Sequence, residues 1–378
     1  MPPLNILHVL RAPVGGLFRH VLDLTHELIA RGHRVGIVAD SRTGGAQADE
    51  ILRALAPSLA LGLSRIPMRR HAYPGDLLAL GHVLRRVAQS KADVVHGHGA
   101  KGGAYARLTV GHMRAVRAYT PHGGSLLFSH DSLMGKFYLA TERLLMLRGD
   151  LFLFESAYSE DVFRRKIGTP RGLVRVVHNG VAPADFAPLP AREDASDLVF
   201  MGELRPVKGV DTLIEAIALL RRDGRAVTAT LVGSGPERDA LEAQVARLGL
   251  SANICFKTAM PGAAALSLGR IMVVPSRAES LPYVVLEAAA AGKPLITTSV
   301  GGIPEIYGLL SDRLVPPQDA HTLARAIAAA LDDPAAMAET TRLLRERVAA
   351  SFTVKAMVDG VVAGYRDALE MLQKAGRR

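Results

Sequence analysis

The chain predicts two doubly wound α/β domains, each a parallel sheet with helices on both faces, and three observations carry that expectation. Short apolar runs bounded by turn residues alternate with longer stretches of helical spacing almost throughout, which is the pattern of βα units. The rhythm collapses once, between 179 and 197, where Gly180, Pro183, Pro188 and Pro190 fall among charged residues, and then restarts. Finally, 378 residues at about 150 per domain make two domains, and a single barrel of that length would leave the Pro-rich break unexplained.

The elements follow in order. Residues 4–10 read as a strand, Gly15 and Gly16 as the turn after it, and 18–30 as a helix whose Val21, Leu24 and Leu28 share a face. Strands at 35–39, 93–96, 117–120, 151–154 and 174–178 complete a first domain over 1–182. The second domain, 197–352, opens with a strand at 198–201, a helix at 211–221 and a strand at 226–232 that ends on Gly233-Ser234-Gly235-Pro236. Further strands are expected at 253–256, 271–274 and 294–297. The last segment, 353–378, carries Met357, Val361, Tyr365, Leu369 and Leu372 at helical spacing with no strand after it. Such a helix can pack on either domain, including by crossing back to the first.

Composition narrows the classes. A chain 49% hydrophobic and 22% charged is globular, which excludes wholesale disorder, collagen and low-complexity fibres. One cysteine excludes a disulfide scaffold and a Cys-based zinc cluster; Cys255 lies in an apolar run and is expected as a small buried hydrophobe in a reducing compartment. Residues 1–10 carry no positive n-region, and no run of about 18 apolar residues exists, so the expectation is a cytoplasmic protein that does not span a membrane. The formal charge of +10 is unevenly placed. Residues 1–185 hold 24 Lys/Arg against 14 Asp/Glu, whereas 186–378 hold 22 of each, and 12 of the 13 His also fall in the first part.

The sharpest constellation is Glu279-Ser280-Leu281-Pro282-Tyr283 through Glu287, directly after the strand at 271–274. Ser280 is a candidate N-cap, Pro282 suits a first turn and Gly292 suits the C-cap. A helix amino terminus at the carboxyl end of a parallel strand offers backbone N–H groups and partial positive charge to phosphate oxygens. Glu279 lies in the loop beside that end, and Glu287 lies six residues past Leu281, about 9 Å down the axis. Two carboxylates at different depths can accept hydrogen bonds from the hydroxyls of one extended ligand, a sugar at one and a ribose at the other. An arbitrary pair of acids would be a solvated loop acid and a helix-surface acid. The flanking Leu286 and the alanines at 288–291 are too apolar for an exposed helix.

These residues resemble the retaining glycosyltransferase family 4. The resemblance rests on the spacing of Glu279 and Glu287 and on Phe200-Met201-Gly202-Glu203-Leu204-Arg205-Pro206-Val207-Lys208-Gly209. It is extended by Gly15-Gly16, Thr120-Pro121-His122-Gly123-Gly124, His178-Asn179-Gly180-Val181, Gly233-Ser234-Gly235-Pro236 and Gly301-Gly302-Ile303-Pro304-Glu305. It implies the GT-B fold, two Rossmann-like domains with a cleft between them, the second holding a nucleotide-sugar donor and the first an acceptor. It implies that Glu279 contacts the hydroxyls of the transferred sugar, Glu287 the ribose, and that Lys208 neutralises the diphosphate leaving group. Leu281, Pro282 and Tyr283 would line the donor site, Gly15 and Gly16 would let backbone approach the diphosphate, and His122 would sit beside the transferred sugar. Where many relatives have Gly-Arg-Leu this chain has Gly202-Glu203-Leu204, so Arg205 is expected to supply the displaced cation. The donor is expected to be a UDP- or GDP-sugar and the acceptor a glycan, free or lipid-linked, in surface polysaccharide or glycolipid synthesis. No cofactor and no metal are expected.

Other readings have less support. Arg238 stands where a dinucleotide fingerprint needs its third glycine, and no Gly-x-Ser-x-Gly elbow, P-loop or zinc motif is present. His96 and His98 share a face at a strand end, but no carboxylate cluster accompanies them, which leaves them as structural or acceptor-side residues. The cations Arg65, Arg69, Arg70, Arg85, Arg86, Lys91, Lys101, Arg107, Arg114 and Arg117, interleaved with Leu63, Ile66, Met68, Leu77, Leu78 and Val83, suggest a basic amphipathic surface for anionic lipid. The same half leaves a nucleic-acid-binding reading open, although aromatics are only 5% of the chain and just Tyr73 and Tyr105 fall among these cations, too few for a row of stacking platforms. An epimerase on the same fold is the remaining alternative, and it differs from a transferase in releasing no nucleotide.

Overall fold

A computed structural model of the chain describes residues 2–109, 115–124, 131–189 and 192–376. The chain divides into two compact units, Met1–Asn179 together with Val354–Arg378, and Gly180–Thr353.

The first unit is built on seven parallel strands: β1 Asn5–Leu10, β2 Arg34–Asp40, β3 Leu63–Ile66, β4 Val94–His98, β5 Val116–Thr120, β6 Leu151–Phe154 and β7 Leu173–Val176. Their order is β3-β2-β1-β4-β5-β6-β7. The chain works outward from β1 to β3 and then returns to place β4 on the other side of β1. The loops at the carboxyl ends of β1 and β4 therefore diverge, and such a switch point is where doubly wound sheets open a crevice. Strand β3 is not among the sequence expectations. It is four residues long, only partly buried and at the sheet edge, so it carries no clear alternation. Strand β4 runs two residues further than its apolar signal, because Leu10 and Thr120 pair with His98 from either side.

Helix Gly15–Ala30 buries Phe18, Val21, Leu24 and Leu28, the face that 3.6-residue spacing indicates. Helix Val354–Lys374 belongs to this unit and buries Met357, Val358, Val361, Tyr365 and Leu369. Gly364 brings its backbone onto the side chains of Leu151 and Leu153 in β6. The apolar stripe predicts such a helix without saying which sheet it covers.

The second unit has β8 Ser196–Met201, β9 Ala229–Val232, β10 Ile254–Lys257, β11 Gly269–Val274 and β12 Leu295–Thr297 in the order β10-β9-β8-β11-β12, all parallel. Its strand order reverses between β8 and β11. One core face collects Phe200, Leu204, Leu213, Ile217 and Val273, and the other Met272, Val274, Leu281, Leu286, Ile303 and Tyr307. Cys255 corrects an expectation: it is exposed. It lies on the edge strand β10, where Ile254 takes the inward position and the next residue faces out. Among the described residues, no helix is long and apolar enough to cross a membrane.

Candidate functional site

In the second unit the loops that leave β8 and β11 meet at the strand-order reversal, and they carry the two residues of greatest interest. Lys208 Nζ donates to Glu279 Oε1 at 2.6 Å, with the two side chains only 24% and 10% exposed. Ser276, fully buried, donates from Oγ to the same Oε1 at 2.7 Å. Both bonds thus converge on one carboxylate oxygen, and no described residue bonds Glu279 Oε2.

Backbone contacts fix this pairing. Arg277 N donates to Val207 O at 2.8 Å, and the Arg277 guanidinium reaches Pro206 O and the carboxylate of Asp211. Gly209 has φ +64, and a Cβ placed there would stand 2.1 Å from Pro275 O. Only glycine lets the Lys208 turn lie this close to the loop after β11. Lys208 itself ends a short 3-10 turn, Pro206–Lys208, ahead of the helix Val210–Arg222, so it precedes that helix rather than opening it. Arg205 does not join the pair. It is 45% exposed and sits 3.5 Å from Glu203, the acid at the displaced position.

The helix after β11 is Tyr283–Ala290, and it begins later than expected. Pro282 is the N-cap residue and Ser280 is not, because Ser280 O accepts from Gly302 N at 2.7 Å while Gly301 packs against the Glu279 carbonyl. These contacts tie 279–280 to the loop at 301–302 ahead of the helix. Gly292, at φ +66, follows the helix in the left-handed conformation suited to a helix end. Leu281 and Tyr283 are buried, so main chain rather than side chain is what this corner offers a ligand. Glu287 is half-buried on an otherwise apolar helix and lies one turn, about 6 Å, below Tyr283. That is shallower than the 9 Å drawn from a helix starting at Leu281. Its Oε2 approaches Gly262.

The first unit gathers five histidines. His8 on β1 pairs in register with His96 on β4, and His98 lies two residues on, so all three share one sheet face. His20 comes from the helix Gly15–Ala30, and His122 follows β5 with φ +50, a left-handed conformation unusual for a non-glycine residue. His8 Nδ1 is 3.0 Å from His98 Nε2, and His98 Nδ1 is 3.0 Å from His122 Nε2. His20 Nδ1 meets Asn179 Oδ1 at 3.0 Å, and His96 is held by Tyr365 OH at 2.7 Å and Thr120 Oγ1 at 2.8 Å. Burial pushes His8 down to about 3, helped by His20, and His20 down to about 4 against the bond from Asn179. His96, His98 and His122 lie well below the usual imidazole value, chiefly by burial and secondly by neighbouring imidazoles, His8 foremost for His96, His96 for His98 and His20 for His122. The sequence reading took up His96, His98 and His122 separately and missed His8 and His20. The available signal was a histidine inside an apolar strand and another four residues before Leu24 on an apolar helix face. Gly15 and Gly16 stand exposed at the start of the same helix, Gly15 at φ +60 with open space around its Cα.

The structure removes some members of the basic amphipathic surface, while Arg69, Arg70, Arg85 and Lys91 are exposed. Arg107 is fully buried and paired with Glu142 at 2.7 Å; Arg117 is paired with Asp150 at 2.7 Å; Met68 and Val83 are in the core. Arg114 lies outside the described residues. Leu77 and Leu78 of that surface are exposed as expected, and further exposed apolar side chains lie at Leu133, Met134, Phe137, Leu144 and Leu147. Several of them border a cavity of about 480 Å³ whose wall includes Leu80, Phe137 and Leu145, with Arg70, Lys101 and Arg148 among its cations.

Residues 14–185 match the family described as Glycosyltransferase Family 4, and residues 181–347 the family described as Glycosyl transferases group 1. The glycogen synthase of Mycobacterium tuberculosis is 28% identical over 372 residues, spanning 90% of this chain and 88% of that protein. The sucrose-phosphate synthase from Thermosynechococcus elongatus superposes with a TM-score of 0.79 at 22% identity, covering 97% of this chain and all of the other. The Anabaena protein HepE, solved in complex with UDP, gives 0.78 at 19% identity over 96% of this chain and all of that one. At these identities the structural likeness is one of fold.

Proposed function

The chain belongs to the family 4-like glycosyltransferases of GT-B type, and from that premise we propose that it moves a hexosyl unit from a UDP- or GDP-sugar to an acceptor hydroxyl with retention of anomeric configuration. The observation that carries the donor reading is the Lys208–Glu279 pair beside the amino terminus of the helix Tyr283–Ala290. Glu279 neutralises Lys208. An ammonium has three donors, so Lys208 can hold Glu279 and still reach a diphosphate oxygen, taking up the charge that builds there as the bond to the anomeric carbon breaks. Glu279 Oε2 accepts from hydroxyls of the transferred sugar, and Glu287 accepts from the ribose one turn deeper. The main chain at Leu281, Pro282 and Tyr283 brings the helix end to the phosphates. Gly15 and Gly16 admit close backbone approach, His122 meets a sugar hydroxyl, and Arg205, exposed and paired, adds only a screened charge. With the diphosphate met by Lys208 and the helix end, transfer runs without a metal in this reading.

On the acceptor side the proposal is a glycan or lipid-linked glycan, in surface polysaccharide or glycolipid synthesis at the cytoplasmic face of a membrane. The support is the 480 Å³ apolar cavity of the first unit and the exposed leucines and Phe137 beside Lys136 and Arg148, which suit contact with anionic lipid. The test is release of nucleoside diphosphate from a panel of UDP- and GDP-sugars. Glu279→Gln keeps the shape and removes the charge, and release is expected to fall by about 100-fold, the cost of one preorganised polar contact to the reacting group. Equal release by the variant removes Glu279 from the site. Interconversion of donor sugars without nucleotide release moves the chemistry to epimerisation.

A further inference from the structure

Three imidazoles of the first unit form a hydrogen-bonded series, His8 to His98 to His122, and the series has a direction. His8 Nδ1 is 3.0 Å from His98 Nε2, and His98 Nδ1 is 3.0 Å from His122 Nε2. Burial holds all three rings uncharged, so each carries one donor and one acceptor nitrogen. Only two arrangements then satisfy both contacts. Donation inward, from His122 Nε2 to His98 and from His98 Nε2 to His8, puts the last proton on His8 Nε2, which is buried with no partner among the described residues. Donation outward leaves that same atom a bare lone pair. Among buried backbone groups an orphaned N–H is rarer than an under-used acceptor, and the same preference selects the outward direction here. The series then ends with a proton on His122 Nδ1, the ring nitrogen that no described residue bonds.

We infer that His98 is a positioning residue that fixes His122 as a hydrogen-bond donor through Nδ1, so that the ring gives a hydrogen bond to an oxygen of the transferred sugar. The sugar in this statement rests on the transferase reading, whereas the direction of the bonds rests on the imidazole geometry alone. His98 is 1% exposed, at the end of β4 between Leu10 and Thr120, so it acts through His122 rather than on a ligand. It is braced from behind. The His96 ring lies against it with centroids 3.9 Å apart, and His96 is tied to Tyr365 OH at 2.7 Å and to Thr120 Oγ1 at 2.8 Å. Through Tyr365, fully buried on the helix Val354–Lys374, the last helix of the chain bears on this corner. His122 needs such a brace, because its φ of +50 is a conformation that a non-glycine residue keeps only where its surroundings over-determine it. Rotation of its ring would break the bond from His98. With the Nε2 lone pair so engaged, His122 meets a hydroxyl oxygen as a donor and has no lone pair to offer as a base.

The experiment uses the full chain carrying isotopically labelled histidine. Ring-nitrogen NMR separates protonated from bare nitrogens, and His122 is expected to show Nδ1 protonated and Nε2 bare, with His98 Nδ1 protonated and scalar-coupled to His122 Nε2 across the bond. A proton on His122 Nε2 overturns the inference, and this arm reads the parental chain without any variant. Nucleoside diphosphate release supplies the second arm. His98→Leu fills the space and removes the donor, and release is expected to fall by about 100-fold, the cost of one lost preorganised contact. His98→Gln restores an N–H toward His122 and is expected to recover part of that loss. A packing role predicts the reverse order, because a buried amide costs more than a leucine. Release by His98→Leu that equals or exceeds that of His98→Gln therefore overturns the positioning role. His321→Ala, an exposed histidine of the second unit, is expected to match the parent. Failure of the transferase reading looks different: the parental chain then releases no nucleotide from any donor sugar, and the ring signals by themselves uphold or overturn the direction of the bonds.

Discussion

Replacing Gly209 by alanine should cost activity far more than stability, and the structure sets both amounts. A Cβ at this position would lie 2.1 Å from Pro275 O, against ordinary contact from 3.4 Å, so the turn must withdraw by about 1.3 Å. Lys208 is the preceding residue. The same displacement would stretch its 2.6 Å bond to Glu279 to about 3.9 Å, beyond hydrogen-bond range. A misplacement of about 1 Å in a reacting site costs on the order of 100-fold in rate. The left-handed φ of +64 adds about 1–2 kcal/mol of strain for any residue with a Cβ. Gly224→Ala supplies the control: φ there is +80, but nothing stands within 4 Å of the added carbon. Thermal unfolding followed by circular dichroism, together with nucleoside diphosphate release, reads out both variants. Each should lose about 1–2 kcal/mol to the backbone strain, and only Gly209→Ala should lose the rate. If both variants keep parental turnover, the contact with Pro275 does not position Lys208 and the reasoning fails.

Two further outcomes follow from buried charges. Glu142→Leu leaves the Arg107 guanidinium buried and unpaired, which should cost about 3–5 kcal/mol, whereas the double change with Arg107→Met should recover most of it; additive losses in urea unfolding would contradict the pairing. Burial pushes Lys293 down to about 8, so the folded chain binds fewer protons than the unfolded chain between there and the ordinary value of 10.5. The lysine therefore destabilises most below pH 8, and its penalty shrinks as pH rises toward 10.5. Lys293→Met should be more stable than the parent at pH 7, with the gap closing by pH 10.5; a gap independent of pH would refute it.

Much of the candidate donor site was legible because its residues are close in the chain and sit on strong local signals. Glu279 and Glu287 share one strand-loop-helix unit, and Gly209 follows Lys208 directly. What joined Lys208 to Glu279 was strand order, since β8 and β11 are neighbours although 71 residues separate the paired side chains. Ser276 and Arg277 escaped notice for the same reason. Nothing in a serine after an apolar strand shows that its hydroxyl will meet a carboxylate, and nothing in Arg277 shows that it will bind the carbonyl of Pro206. Two members of the expected basic surface differ in direction: Arg107 and Arg117 are near apolar residues in sequence, but their side chains turn inward to Glu142 and Asp150.

By itself the sequence determined the βα alternation, the break between the two halves, the apolar stripe of the last helix and the charge asymmetry. These are local quantities, set by periods of 2 and 3.6 residues and by the conformational limits of glycine and proline. Tertiary structure alone decided that Val354–Lys374 joins the first unit, that Cys255 faces solvent on an edge strand, and that His8 and His20 meet His98 and His122. The reason is that a parallel crossover sets the neighbours of a strand through connections tens of residues long. Residues 90 positions apart, such as His8 and His98, become hydrogen-bond partners with no periodic trace in the chain.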